Sequence, residues 1–232
     1  METAFALSED VHLCDLNDAI VVLDAKLNKY SLFVDEQVTW ISEILNPAFD
    51  GQISDKAKQF AMRLQRYGLI GPSVSTGPPV AKGVSVPRPT ACVHGPLANP
   101  SLFASIRLVP FFLSALHYAR GLVDRADFYS TLQSLRQSKP ASRSPFVNSN
   151  NDAARVAQTF TLLAPYFVTL KDACLLRSIA LFRLLHLCGL LGTLNFGVRL
   201  SPFTAHCWVE SDGVVLNDEL DDVLEFTKIM VV

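Results

Sequence analysis

Between Ala173 and Gly192 the chain reads ACLLRSIALFRLLHLCGLLG, apolar on nearly every face of a helix. Such a run has to be surrounded by apolar surface, whether lipid or protein. Arg177, Arg183 and His186 lie inside it, and each would be costly at the middle of a bilayer. The run therefore predicts a central helix buried in protein, not a membrane span. The composition can supply the cover. Half of the 232 residues are hydrophobic and only 18% are charged, which suits a packed core and argues against disorder. The opening METAFALSEDVH has neither a basic start nor a long apolar run, so no signal peptide is expected.

Seven of the 13 prolines fall between Gly71 and Pro100. Proline lacks an N–H and opposes helix, so residues 72–100 read as an extended linker. It separates a module over 1–71 from one over 101–232. In the first module VHLCDL, AIVVLD and KYSLFV read as three antiparallel strands, with turns at DLND and AKLN. Val38, Ile41, Ile44 and Leu45 then recur at helical spacing, with Asp35 near the start and Pro47 and Gly51 at the end. Ser54 caps a second helix whose apolar face is Ala57, Phe60, Ala61 and Leu64. Gly68 supplies its left-handed C-terminal residue.

The second module opens with helices over SLFASIRLVPFFLSALHYARGL, with a kink expected at Pro110, and over RADFYSTLQSLRQ. Another follows over DAARVAQTFTLLAPYFV, capped by Asp152. After the central helix come a strand, NFGVRL, a hairpin, TAHCWVESDGVVLND, and a short helix from about Glu219. The fold class is α+β. The N-terminal part is a three-stranded sheet with helices, and the C-terminal part packs helices on an antiparallel sheet.

A net charge of −2 gives little electrostatic support to nucleic-acid binding. Five cysteines, Cys14, Cys92, Cys174, Cys188 and Cys207, form no CxxC pair and no even framework. No metal site is expected, and a reducing, cytoplasmic setting fits best.

One cysteine stands apart. Asp172 suits the N-cap of the central helix, which puts Cys174 in the first turn, where unpaired N–H groups and the helix dipole favour a thiolate. Cys188 lies near the other end, where the dipole opposes one. In the hairpin, SDG reads as a three-residue loop with Gly213 left-handed. Glu210 then faces Val214, Trp208 faces Leu216 and His206 faces Asp218, while Asn217 falls on the other face. A base beside an orienting carboxylate, with a thiol nearby, is what nucleophilic catalysis requires. Each residue alone has a plainer reading. A cysteine in an apolar helix is usually core, a strand histidine is usually structural, and Asp218 could cap the terminal helix. His186 and Cys188 read as core, and Cys92 and His94 as exposed linker residues.

The order nucleophile helix, histidine strand, aspartate strand is that of papain-like and transglutaminase-like cysteine enzymes. CLLRSIAL, FGVRLSPFTAHCWVE and DGVVLND together resemble the lasso-peptide B proteins, the leader peptidases of lasso-peptide biosynthesis. The resemblance is most specific in the C-terminal half and implies a catalytic triad of Cys174, His206 and Asp218. VHLCDLNDAIVVLDAKLNKYSLF, followed by helices and LQRYGLI, is similar to the winged-helix-like leader-recognition element of ribosomal-peptide pathways. That likeness implies a leader added as a strand along Lys29, Tyr30, Ser31, Leu32, Phe33 and Val34, with Phe60, Leu64 and Tyr67 as the other wall. The partners implied are a precursor peptide and an asparagine-synthetase-like cyclase. The family's proteolysis is described as ATP-dependent, but this chain has no glycine loop for phosphate and no cofactor motif. Two rival expectations remain: a thiol acyltransferase on the same scaffold, and an adaptor that binds the leader without catalysis.

Overall fold

Side chains that close turns set the register of the first strands. In the computed structural model, which describes residues 5–45, 53–72, 87–93, 102–125, 127–141, 152–168 and 173–232, the chain divides into two units, Met1–Ser85 and Val86–Val232. The first holds strands β1 (Phe5–Leu7), β2 (Val11–Asp15), β3 (Ala19–Asp24) and β4 (Lys29–Val34), helices α1 (Glu36–Leu45) and α2 (Asp55–Arg66), and strand β5 (Ile70–Pro72). Strands β2, β3 and β4 form an antiparallel sheet in that order. Asp15 Oδ1 accepts from Asn17 N–H, and Asn17 takes a left-handed φ of 71°. Asp24 Oδ1 accepts from the N–H groups of Lys26 and Leu27, and Asn28 follows with φ 50°. Asp15, Asn17 and Asn28 are turn residues the sequence offered, and Asp24, read as the end of a strand, serves the same way as a short side-chain mimic of a backbone turn.

Helix α2 is capped as expected. Ser54 Oγ accepts from Ala57 N–H at 3.3 Å, and Gly68 has φ 74°. Leu69 N–H reaches back to Leu64 O, the bond that satisfies a last-turn carbonyl. Ala57, Phe60, Ala61 and Leu64 face inward onto Ile20, Val22, Ile41 and Ile44. The exit from α2 leads into β5, which pairs antiparallel with β1 as a second small sheet that the sequence reading did not include. The expected stop at Pro47 and Gly51 lies outside the described residues.

The second unit holds β6 (Ala91–Cys92), α3 (Leu102–Val123), α4 (Phe128–Gln137) and α5 (Asp152–Leu163), the last followed by a 3-10 turn (Ala164–Tyr166). It continues with α6 (Ala173–Leu187), β7 (Thr193–Leu200), β8 (Phe203–Ser211), β9 (Val214–Val215), α7 (Leu220–Leu224) and β10 (Thr227–Val231). Helix α6 is the central helix, packed against α3, α5, β7 and β8. Pro110 lies inside α3, and Asp152, expected as a cap, is the first residue of α5. Two polar residues of α6, Arg183 and His186, share a partner. The Arg183 guanidinium lies 4.9 Å over the Tyr118 ring and donates to Ser138 Oγ, which also stands 3.1 Å from His186 Nδ1. None of the described helices is long and apolar enough to cross a membrane.

The sheet order is β10-β7-β8-β9-β6. It departs from expectation in three ways. It is mixed, not wholly antiparallel, because β6 runs parallel to β9. Residues 87–93, assigned to the linker, belong to this unit: Thr90 N–H donates to Gly213 O, Val93 N–H donates to Val215 O, and Val93 is buried. An edge strand tolerates nearby prolines, and β9 would otherwise leave its outer groups unpaired. Finally, β10 adds a strand beside β7 after the short helix. The core includes Phe112 and Phe160, ring centroids 5.6 Å apart and both almost wholly buried. Replacing Phe160 with alanine should lower stability by about 3–5 kcal/mol, read as a fall in the denaturant midpoint at constant slope.

Candidate active site

Strand β8 has one edge that, among the described residues, a strand covers only at Glu210 and Ser211. Its hairpin with β9 turns on Asp212 and Gly213 alone, with φ 50° and 77°, so Ser211 pairs Val214 and Glu210 pairs Val215. This is a two-residue turn whose twist matches the strands, and it replaces the three-residue SDG loop expected from sequence. The register is therefore shifted by one residue, and Glu210 does not face Val214. Pairing stops at Val215. Leu216 N–H still donates to Val209 O, and then the chain bends away.

Side chains fill the edge that β9 leaves open. Asn217 Oδ1 accepts from Val209 N–H at 2.8 Å, and Asn217 Nδ2 donates to Ser178 Oγ at 2.9 Å. Ser178 Oγ in turn donates to Cys207 O at 2.9 Å. Cys207 N–H donates to Cys174 Sγ at 3.1 Å. Cys174 and Ser178 lie one turn apart on α6, so one helix face supplies both partners. Asn217, which the expected register put on the face opposite His206, thus bonds to the strand's backbone and to Ser178.

Cys174 is the second residue of α6, in the first turn as expected; Asp172, its expected N-cap, lies outside the described residues. The sulfur sits against the edge of β8 and so reaches groups on both faces of the strand. His206 Nδ1 is 3.0 Å away, Cys207 Sγ 3.2 Å and Cys207 O 3.2 Å. His206 Nε2 contacts Asp218 Oδ2 in a short charge-assisted pair, and Asp218 Oδ1 accepts from Glu219 N–H. His206 and Asp218 thus meet, but through the bend after β9 and not as a directly opposed strand pair.

The imidazole is held from its sides. The Trp208 ring is stacked at 6.0 Å and Phe226 is tilted at 5.1 Å. Trp208 Nε1 donates to Glu210 Oε1 at 2.6 Å, and the other oxygen of Glu210 pairs with Lys228 Nζ at 2.8 Å in a buried ion pair. Gly197, opposite His206 on β7, makes room for this stack. A Cβ there would come within 2.8 Å of the Trp208 ring and 3.0 Å of Phe226 Cβ.

The electrostatics favour an ion pair. The hydrogen bond from the Cys207 thiol does most to stabilise a Cys174 thiolate. Burial opposes it, but the His206 imidazole and Cys207 N–H add their support and hold the pKa down to about 5. Burial also opposes charge on His206, yet its bonds to Asp218 and Cys174, and their charges, push it up to about 10. Asp218 is held below the usual carboxylate range. Burial works against that, but contact with His206, the Glu219 N–H and the charge of Arg177 prevail. A thiolate facing an imidazolium, oriented by a carboxylate, is ready to attack an electrophilic carbon and then return a proton to the leaving group.

The transglutaminase-like superfamily pattern matches residues 118–231, from the second half of α3 to the end of β10. That span carries a transglutaminase-like core domain. All of the cluster just described lies within it. Comparison of the chain with curated proteins and with solved structures gave no match.

The sequence-expected site residues divide between the two units. Cys174, His206 and Asp218 come together in the transglutaminase-like domain. Lys29 to Val34 form β4, at one end of the three-stranded sheet. Of the other wall, only Tyr67 is exposed, at 72%. Phe60 and Leu64, at 4% and 5%, face the interior because α2 uses that face to cover the sheet. The expected groove wall is corrected accordingly. Cys92, expected to be exposed, is partly buried against Trp208, Val215 and Val223, and His94 lies outside the described residues. Reading residues alone missed Ser178, Gly197, Glu210 and Lys228. Of these, Ser178 carried a signal, since it follows Cys174 by one helical turn.

Two measurements check this site. The ultraviolet absorbance of the Cys174 thiolate should titrate near pH 5, and His206→Ala should move that midpoint upward. Gly197→Ala should cost about 1–3 kcal/mol of stability and alter tryptophan fluorescence, because the indole must move to admit the methyl group.

Proposed function

We propose that this chain is a cysteine peptidase that removes the leader from a lasso-peptide precursor before a partner cyclase closes the ring. The observation that carries the reading is Cys174 Sγ at 3.0 Å from His206 Nδ1, with Asp218 on the opposite ring nitrogen. The transglutaminase-like match to residues 118–231 supports thiol-based acyl chemistry, whether hydrolysis or transfer. The choice of hydrolysis, and of this substrate, rests on the resemblance of CLLRSIAL, FGVRLSPFTAHCWVE and DGVVLND to the lasso-peptide B proteins.

In this reading the Cys174 thiolate attacks the carbonyl at the leader–core junction. The developing oxyanion is drawn toward the start of α6, where the first N–H groups have no partner within the helix. The His206 imidazolium gives its proton to the departing core amine, leaving the leader as a thioester on Cys174. The neutral imidazole then takes a proton from water, hydroxide attacks the thioester, and the leader acid departs. Asp218 holds the ring so that Nδ1 faces sulfur throughout.

The N-terminal unit supplies recognition. Strand β4 is last in its sheet among the described residues, and Leu32 and Val34 are 51% and 40% exposed, so a leader added as a further strand would meet apolar side chains. The asparagine-synthetase-like cyclase is the partner that would consume the freed amine.

Incubation with a precursor peptide, followed by mass spectrometry, tests the proposal. The wild-type chain should release intact leader acid and core, Cys174→Ala should release neither, and His206→Ala should lower kcat/KM by about 10²–10⁴-fold. The profile of kcat/KM should be bell-shaped. Activity should fall below about pH 5 as Cys174 gains a proton, and above about pH 10 as His206 loses one. A leader joined to an amine would assign the chain to acyl transfer instead. Cleavage that survives Cys174→Ala would remove Cys174 as the nucleophile, and the cysteine-peptidase reading with it.

A further inference from the structure

We propose that Cys174 and Cys207 form a peroxide-sensitive dithiol, in which Cys207 is the resolving cysteine that converts an oxidised nucleophile into a reversible disulfide. The two sulfurs are 3.2 Å apart, and neither thiol is engaged in a disulfide. A disulfide requires about 2.05 Å, so closure needs a shift of about 1 Å, within reach of a side-chain rotation. Cys207 lies in the middle of β8 and is almost fully buried, whereas Cys174 is partly exposed at the head of α6. An oxidant therefore meets Cys174 first. Cys207 waits behind it, in a position where attack on the same sulfur is effectively intramolecular.

The surroundings divide the roles. Cys174 is the thiolate of the pair, favoured by donors from Cys207 and by His206. Cys207 is kept well above its ordinary pKa by its bond to Cys174 and by burial, so it remains a thiol. The other buried cysteines, Cys14 and Cys188, are both pushed up to about 11, chiefly by burial, and make poor first targets.

The chemistry balances with a hydroperoxide as the oxidant. The Cys174 thiolate attacks one peroxide oxygen and the O–O bond breaks. The leaving oxygen takes a proton from the His206 imidazolium and departs as water or an alcohol. Cys174 is now a sulfenic acid. The Cys207 sulfur attacks the Cys174 sulfur and the S–O bond breaks. The hydroxyl leaves as water with the Cys207 proton. Two electrons pass from the two sulfurs to the peroxide. A dithiol reductant reverses the change by thiol–disulfide exchange. While the bond stands, the nucleophile is withdrawn from acyl chemistry, and it is spared further oxidation to the sulfinic acid. The inference requires no particular acyl substrate and is tested without one.

The full-length chain is treated with stoichiometric hydrogen peroxide, quenched with an alkylating agent and analysed by intact and peptide mass spectrometry. The expected result is a loss of about 2 Da, a cross-link joining the peptides that contain Cys174 and Cys207, and full return of both thiols after dithiothreitol. Cys207→Ser and Cys207→Ala, each checked for folding by circular dichroism, should instead show a gain of about 16 Da on Cys174 that dithiothreitol reverses and, with excess peroxide, a sulfinic acid about 32 Da heavier that it does not. Oxygen adducts on Cys174 of the wild-type chain without the cross-link would overturn the proposal. So would a disulfide formed through another cysteine, or no reaction at Cys174 at all.

Discussion

The peptide unit of Cys207 is the joint on which the site depends. Its N–H and C=O lie on an edge of β8 that β9 leaves after two residues, and buried backbone groups left unpaired would be costly. Helix α6 supplies the missing partners with two side chains one turn apart, Cys174 to the N–H and Ser178 to the C=O. Asn217 completes the patch by taking Val209 N–H and donating to Ser178. The same bonds that satisfy the strand therefore fix the height of the helix along it. A central helix that is apolar on nearly every face could slide or rotate at little cost in burial. This polar clamp selects one position, and that position places Cys174 beside His206.

The charge distribution follows from that position. A thiolate at the start of a helix already has orphan N–H groups near it, and here the strand adds another N–H and a thiol donor. The imidazole cannot turn away, because Trp208 and Phe226 hold its sides and Asp218 holds its far nitrogen. Trp208 is anchored through Glu210 to Lys228, a buried pair in which removal of either partner would leave an uncompensated charge. That arrangement places a glycine opposite the histidine: the indole occupies the space a side chain at residue 197 would need.

What could be read from the chain was what depends on a few neighbouring residues. DLND and AKLN announce turns, Ser54 and Gly68 bracket a helix, and the apolar run from Ala173 predicts a buried helix with a cysteine at its head. The hairpin was read to within one residue. Ser-Asp-Gly is compatible with either loop length, and the twist of the paired strands, which no local pattern records, selects the two-residue turn. The contact of His206 with Asp218 survives that shift only because the chain bends after Val215. Strands β6 and β10 were missed for another reason. Each is short and finds its partner far away in sequence, β6 across some 120 residues, and the prolines around β6 suggested a free linker. Ser178 shares a helix face with Cys174, but its bond to Cys207 O, and the part Asn217 plays beside it, show only once helix and strand are placed side by side.

The stretch around β6 braces the acid and the base at once. Asp218 lies three residues beyond the last pair of β9, and a strand of two residues held on one edge would position it poorly. Thr90 and Val93 bond to the other edge of β9, at Gly213 and Val215, so the segment that leads to Asp218 is held from both sides. Pro87, a few residues earlier in the same stretch, accepts from Lys228 Nζ, the cation that anchors Glu210 and through it Trp208. One path from this stretch runs through β9 to the carboxylate, and the other runs through the ion pair and the indole to the imidazole. Residues whose composition suggests a spacer are thus part of the frame that keeps Asp218 and His206 in register with the sulfur.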